Sequence, residues 1–276
     1  MIDQYAVIGN PIAHSRSPEI HAAFARQLGH QFSYLRIEAP LCDFVGTVRA
    51  FRRDGGKGAN VTVPFKLEAF AMGTDHSQRA IAAGAANTFC FGLDPDAVFA
   101  DNTDGVGLVR DIRQNIGVPI AQRRVLVLGA GGAARGVLAA LAAEGPAELA
   151  VANRTFSTAQ QLLADLSPYL NDIRAHVVDV AALPEHRFDL VINATSASLF
   201  GDLPLVPPTC FDLGGLAYDM MYGKGLTPFL ALAQAAGAQA VDGIGMLVEQ
   251  AAESCWLWRG VRPETKPVIA MLKRAL

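Results

Sequence analysis

The apolar run Val125-Leu126-Val127-Leu128 ends at Gly129 and passes directly into Ala130-Gly131-Gly132-Ala133 and an alanine-rich stretch. No other segment narrows the choice of fold as far. A short continuous apolar run bounded by glycine predicts a strand buried on both faces, and the alanine-rich stretch after the turn predicts a helix. Glycine at 129, 131 and 132 lets backbone approach a pyrophosphate, while the helix N-terminus presents unpaired N–H groups to its negative charge. Ala134 stands where the usual G-x-G-x-x-G has its third glycine. Taken by itself the turn is also compatible with a tight strand-to-helix connection that binds nothing.

The next strand is predicted over Glu148 to Ala152 and leads into Asn153-Arg154-Thr155. An NAD-binding unit usually places a carboxylate there for the ribose hydroxyls. Arg154 instead offers a guanidinium that can pair with a 2′-phosphate, which favours NADP; a solvated surface arginine is the alternative. Further strands are predicted at 176–180, 190–194 and 216–220.

Ahead of this unit, strands are expected at 5–9, 32–37, 59–63, 88–91 and 97–100. A helix is expected over 17–29, with Ile20, Phe24 and Leu28 at four-residue spacing and Ser17-Pro18 as N-cap and first turn. Strands alternating with helices through 276 residues predict two α/β domains around mostly parallel sheets, separated by a cleft. The boundary falls within Gly105 to Arg124, and the helices from about Met246 are expected to return to the first domain, with the turn around Gly223 to Pro228 near the cleft.

A 51% hydrophobic, 18% charged chain has ample core material, which argues against disorder. Net charge −3 and the lack of a basic run argue against nucleic acid as a partner. Met1 to Gln4 begin no basic-then-apolar leader, and the most apolar region, 133–152, is broken by Arg135, Glu144, Gly145 and Pro146. That is short of the roughly 20 apolar residues of a membrane span, so a cytoplasmic protein is expected. Cys42, Cys90, Cys210 and Cys255 form no CxxC pair and read as buried thiols. The six histidines show no metal-ligand spacing and no serine nucleophile elbow, so no metal is expected.

Two polar clusters stand out at predicted strand ends, which face ligand crevices in α/β folds. Asn60-Val61-Thr62-Val63-Pro64-Phe65-Lys66 puts a lysine immediately before a helix, where a partly desolvated amine can move a proton as a hydroxyl becomes a carbonyl. Asp101-Asn102-Thr103-Asp104-Gly105 offers Asp104 to accept a substrate hydroxyl and to orient Lys66. A surface lysine and an Asx-turn helix cap are the structural alternatives. Asn87-Thr88 is a third candidate of the same kind.

In order along the chain, several segments resemble the shikimate dehydrogenase family: Gly9 to Pro18, Gly58 to Lys66, Asn102 to Gly107, Gly129 to Ala133, Asn153-Arg154-Thr155, Asn193 to Ser196, Tyr218-Asp219-Met220, and Asp242 to Met246 leading to Gln250. The resemblance implies NADPH-dependent interconversion of 3-dehydroshikimate and shikimate in chorismate and aromatic amino-acid biosynthesis. It implies Lys66 and Asp104 as the catalytic pair, with Ser15, Ser17, Thr62, Asn87, Tyr222 and Gln250 on the carboxylate and hydroxyls of shikimate. Gly129, Ala130, Gly131, Gly132, Ala133, Asn153, Arg154 and Thr155 would hold NADP, with Met220 and Gly243 beside the nicotinamide. The substrate domain would span residues 1–105 plus about 246–276, and the Rossmann-like domain 106–245, in a monomer or homodimer. The chain departs from the family pattern at Ser196-Ala197-Ser198-Leu199, at Phe156-Ser157-Thr158, where a basic residue is often found, and at Gln78. A quinate or dual-specificity dehydrogenase and a non-catalytic ligand sensor are the rival readings; a sensor could dispense with Lys66 or Asp104, and both are present.

Overall fold

A computed structural model describes residues 2–94, 96–170, 173–195, 197, 202–223 and 225–275. Its first unit runs β1 (Asp3–Gly9), α1 (Ser17–Leu28), β2 (Phe32–Glu38), α2 (Phe44–Arg53), β3 (Gly56–Val61), α3 (Lys66–Met72), β4 (Asp75–His76), α4 (Gln78–Ala83), β5 (Thr88–Phe91) and β6 (Val98–Asp101). A connecting helix α5 (Asp104–Arg110) continues into a π-helical turn, Asp111–Ile116. The second unit runs β7 (Arg124–Leu128), α6 (Gly132–Ala143), β8 (Glu148–Ala152), α7 (Phe156–Leu166), β9 (Arg174–Val177), β10 (Phe188–Asn193), β11 (Phe211–Asp219), α8 (Pro228–Ala235) and β12 (Gln239–Val241). Two further helices, α9 (Ile244–Arg259) and α10 (Lys266–Arg274), close the chain.

The second sheet is all parallel with order β12-β11-β10-β7-β8-β9, so strand order reverses between β7 and β10. Crevices in doubly wound sheets open at that reversal, beyond the strand C-termini. Side chains along β7 alternate between two cores. Val125 and Val127 face one, and Leu126 and Leu128 the other, as expected of a strand covered by helices on both sides.

The first sheet, ordered β2-β1-β3-β5-β6-β4, is mixed but mostly parallel, with β5 alone opposing the other five strands. β5 runs antiparallel to both β3 and β6, and the connection from Phe91 to Val98 is too short for the crossover helix that a parallel β5–β6 pair would need. The two-residue β4 and the short β12 carry too little pattern to be seen in sequence.

Ser17 is the first helical residue of α1 rather than its N-cap. Arg16 holds the cap position, and Ser17's hydroxyl is turned toward Ser15. The helix stops at Gly29, whose φ of 64° suits glycine.

α9 and α10 pack against α1 of the first unit. Ile20 and Phe24 of α1 meet Val248, Ala251 and Cys255 of α9 and Val268 and Leu272 of α10 in one buried cluster. Burying a side chain such as Phe24 contributes about 1.5–3 kcal/mol. Directional bonds add register: Ser254 Oγ accepts from Asn60 Nδ2 at 2.9 Å, and Trp258 Nε1 donates to the Phe89 carbonyl at 2.8 Å. The cysteines are free, but Cys42 is exposed and Cys90 only partly covered, so buried thiols describe Cys210 and Cys255 alone. Among the described residues no helix is long and apolar enough to cross a membrane.

Candidate active site

Three strand ends of the first sheet are laced together by backbone bonds. Val61 N donates to Asn87 O at 2.8 Å, Asn87 N to Asp101 O at 2.9 Å, and Ala86 N to Lys66 O at 2.9 Å. The turns beyond β3 and β6 and the approach to β5 are thereby held as one surface. Lys66 opens α3 and Asp104 opens α5, so each side chain leaves the first position of a helix.

Lys66 Nζ lies 2.5 Å from Asp104 Oδ2, with the two side chains 19% and 9% exposed. The other carboxylate oxygen, Oδ1, accepts from Asn87 Nδ2 at 2.8 Å. Both oxygens are engaged, which fixes the carboxylate plane and aims it at the ammonium. Asn87 is anchored in turn, its Oδ1 accepting from Thr103 N at 2.9 Å and from Thr88 Oγ1 at 2.9 Å. The Asx turn weighed as an alternative for Asp104 belongs to its neighbour, since Asn102 Oδ1 accepts from Asp104 N at 3.1 Å. Asp104's side chain is thus free to meet Lys66.

Of the remaining polar candidates, Gln250 bonds directly to this centre. Gln250 of α9 reaches Thr103 Oγ1 and Asn87 Nδ2 through Oε1, at 3.3 and 3.4 Å. Thr62 lies in the turn between β3 and α3, its carbonyl accepting from Phe65 N. The loop after β1 is tied to that turn by Asn10 N donating to Val63 O at 3.1 Å. Ser15 ends the same loop and Ser17 opens α1, their hydroxyls 3.2 Å apart, and Arg36 Nε donates to the Ser15 carbonyl at 2.8 Å. Tyr222, partly buried, packs against the α1–α9 cluster and spans from the second unit to the first; burial pushes its phenol pKa up.

In the second unit, Gly129 adopts φ 106° with its N–H bonded to Ala152 O at 2.8 Å, a conformation that favours glycine. A Cβ on Gly131 or Gly132 would meet nothing within 4 Å beyond the neighbouring backbone, so space is open beside the α6 N-terminus. The α6 cap residue, Gly131, supplies no side-chain acceptor for the first-turn N–H groups. A dinucleotide phosphate fits that provision. Ala130 and Ala133 line the same turn, partly buried against the core. Asn153 Nδ2 donates to Thr155 O at 2.9 Å, shaping the turn that leaves Arg154 exposed. Met220 and Gly243 adjoin, since a Cβ on Gly243 would stand 2.3 Å from the Met220 carbonyl. The α6 helix reaches the Lys66–Asp104 centre at Gly136, where a Cβ would lie 3.3 Å from Asp104 Oδ2.

Residues 7–89 match the family model described as shikimate dehydrogenase substrate binding domain, residues 111–200 that of shikimate / quinate 5-dehydrogenase, and residues 243–273 that of the shikimate 5′-dehydrogenase C-terminal domain. An NADP(+) shikimate dehydrogenase of Aromatoleum aromaticum is 57% identical over 100% of this chain and 98% of its own length. The chain belongs to the shikimate dehydrogenase family. A second member, from Nitrosospira multiformis, is 58% identical over 100% of this chain and 99% of the relative. Shikimate 5-dehydrogenase of Thermus thermophilus, solved with NADP(H) and shikimate, superposes with a TM-score of 0.86 at 34% identity, covering all of both chains.

Within this shikimate dehydrogenase fold, sequence reasoning missed Ser254 and the contacts that Tyr218 makes. Asn60, Thr88 and Ser254 form a buried cluster behind Asn87, with Tyr34 OH donating to Asn60 Oδ1 at 2.7 Å. Asn60 sat within a polar strand end and was legible. Ser254 lies mid-helix, 194 residues from Asn60, and nothing local marks it. Tyr218 was legible as a motif residue but not in its role. Its OH donates to Asp111 Oδ2 at 2.7 Å and accepts from Met246 N at 3.2 Å, tying β11 to both connecting helices. Burial pushes the Asp111 carboxyl pKa up. Of the departures from the family pattern, Ser196, Ser198 and Leu199 lie outside the described residues, Phe156 to Thr158 form the exposed first turn of α7, and Gln78 opens α4.

Proposed function

We propose that Lys66 and Asp104 are the catalytic pair of an NADP-dependent shikimate dehydrogenase, with Ser15, Ser17, Thr62, Asn87, Tyr222 and Gln250 holding the carboxylate and hydroxyls of shikimate. The substrate half comprises residues 1–105 with about 246–276, and the nucleotide half 106–245. The observation that carries this reading is the 2.5 Å Lys66–Asp104 contact at the junction of the two units, with Gly136 of the nucleotide helix beside it.

NADPH supplies the hydride that reduces the C3 carbonyl of 3-dehydroshikimate. The Lys66 ammonium gives a proton to the carbonyl oxygen as it becomes a hydroxyl, and in shikimate oxidation the neutral amine takes that proton back. Asp104 holds the amine in line and accepts from a substrate hydroxyl. Asn87, bonded to Oδ1, keeps the carboxylate from rotating away. Buried hydrogen-bonding groups discriminate strongly, because an analogue lacking a hydroxyl leaves them unpaired. First-turn N–H groups of α6 and the Gly129–Gly132 backbone receive the pyrophosphate, and Arg154 the 2′-phosphate.

Initial rates followed at the nicotinamide absorbance, with shikimate or quinate and NADP or NAD in all four pairings, test the reading. Turnover chiefly with shikimate and NADP is expected; quinate preference would reassign the substrate, and absence of turnover in every pairing would leave a ligand sensor. Lys66→Ala is expected to lower kcat by about three powers of ten, in the range typical of removing a general acid–base, with shikimate binding by calorimetry little changed. An active alanine variant would remove Lys66 from the mechanism.

A further inference from the structure

Glu253 lies on the buried side of α9, 4% exposed, yet its carboxylate is shared by three guanidinium groups. Arg79 Nη1 of α4 donates to Oε1 at 2.9 Å, while Arg110 Nη1 of α5 and Arg262 Nη1, at 2.6 Å, donate to Oε2. Arg79 turns its other nitrogens on Asp101, with Nε donating to Oδ1 at 2.7 Å and Nη2 to Oδ2 at 2.6 Å. Asp101 Oδ1 also accepts from Asn102 N at 2.6 Å, inside the turn that delivers Asp104. Arg262 Nη2 donates to Glu249 Oε2 at 2.7 Å, so three arginines face three carboxylates.

Asp104 is the first residue of α5 and Arg110 the last. Glu253 therefore reaches that helix at both ends, through Arg79 and Asp101 at the start and directly through Arg110 at the finish. Burying such a network is a poor source of stability, since desolvation offsets much of the attraction and apolar residues of similar volume often serve as well. Its contribution is direction. Apolar contact alone lets α5 slide along α9, whereas paired guanidinium–carboxylate bonds hold one register.

We propose that Glu253 is a positioning residue of the reaction: by holding Arg79 and Arg110 it fixes both ends of α5 and sets Asp104 Oδ2 against Lys66. This rests on the reading of Lys66 and Asp104 as the catalytic pair. Charged groups facing Glu253 are Arg79, Arg110 and Arg262, with Asp101 and Glu249 beyond them; Lys66 faces Asp104.

The test is kcat and KM for shikimate oxidation at saturating NADP, in the native enzyme and in Glu253→Gln, Glu253→Asp, Arg110→Gln and Asp104→Asn. A group that positions Asp104 acts in the reaction step, so its loss lowers kcat and leaves nucleotide binding as it was. In Glu253→Gln kcat is expected to fall about tenfold with the NADP KM within about twofold. Arg110→Gln, which leaves Glu253 paired with Arg79 and Arg262, should lower kcat less, and Glu253→Asp should restore most of it. Unchanged kcat in Glu253→Gln and Arg110→Gln alongside a lowered one in Asp104→Asn overturns the proposal and leaves the catalytic pair standing, as does an NADP KM that worsens as much as kcat. Unchanged kcat in Asp104→Asn overturns both. Should Glu253→Gln fail to fold, Arg110→Gln decides the matter by the same kcat.

Discussion

Arg154 is exposed in the turn after β8 and has no salt bridge among the described residues. Arg135, in the first turn of α6, is already engaged by Asp165 at 2.6 Å. With Phe156, Ser157 and Thr158 where a second basic residue is often found, the 2′-phosphate contact proposed for this turn would fall on one guanidinium. A charge-assisted hydrogen bond is worth about 1.5–3 kcal/mol, or about tenfold to a hundredfold in affinity. Arg154→Ala is expected to raise the NADPH KM by about that factor and to leave the NADH KM within about twofold. Equal losses with both nucleotides would remove Arg154 from the 2′-phosphate. The role proposed for Arg154 could be read from sequence because it depends on strand position and charge, both local properties. The pairing of Lys66 with Asp104 was expected from two polar strand ends and the family resemblance, but the 2.5 Å contact itself is made by the sheet.

At the scale of elements, α5 carries Asp104, the proposed catalytic aspartate, between two helices from different parts of the chain, and two glycines permit the fit. A Cβ on Gly105 would stand 2.7 Å from Ala140 Cβ and 2.8 Å from the Gly136 carbonyl of α6. On Gly107 it would stand 2.8 Å from Gln250 Cβ and 2.9 Å from Gln250 N of α9. The clash at Gly107 is with backbone, so rotamer changes cannot relieve it, and overpacking of this kind costs about 1–3 kcal/mol. Gly107→Ala is therefore expected to lower the urea midpoint by an amount equivalent to about 2 kcal/mol and, by displacing Gln250, to raise the shikimate KM more than the NADP KM. An unchanged midpoint would show that α5 and α9 are not in close contact at this point. In sequence the pair appeared only as part of a polar motif; its steric meaning needed both partner helices.

Across the whole molecule, the return of α9 to the first unit encloses His21, 0% exposed. Its ring stacks on Tyr34 at 4.1 Å and lies 5.4 Å from Trp258 of α9, with neither nitrogen hydrogen-bonded. Burial lowers its pKa from 6.5 to about 3. The folded chain therefore keeps His21 neutral while the unfolded chain binds a proton below about pH 6.5. Stability from this group is complete above that pH and declines as pH falls toward 3, by up to about 1.4 kcal/mol per pH unit. Urea denaturation at pH 7 and pH 5 should differ by about 2 kcal/mol less in His21→Phe than in the native protein. Equal pH dependence in the two would mean that His21 is hydrated or paired in solution.

The amino-acid sequence by itself determined the two α/β units, the glycine turn at the head of α6, the arginine after β8 and the polar strand ends. Each follows from periodicity, backbone freedom or charge within a few neighbouring residues. Tertiary structure alone decided that β5 runs antiparallel, that Asn60 meets Ser254, that Tyr218 reaches Asp111 and Met246, and that Glu253 gathers Arg79, Arg110 and Arg262. These pairings join side chains up to 194 residues apart, and their partners are chosen by how two sheets and the helices between them pack.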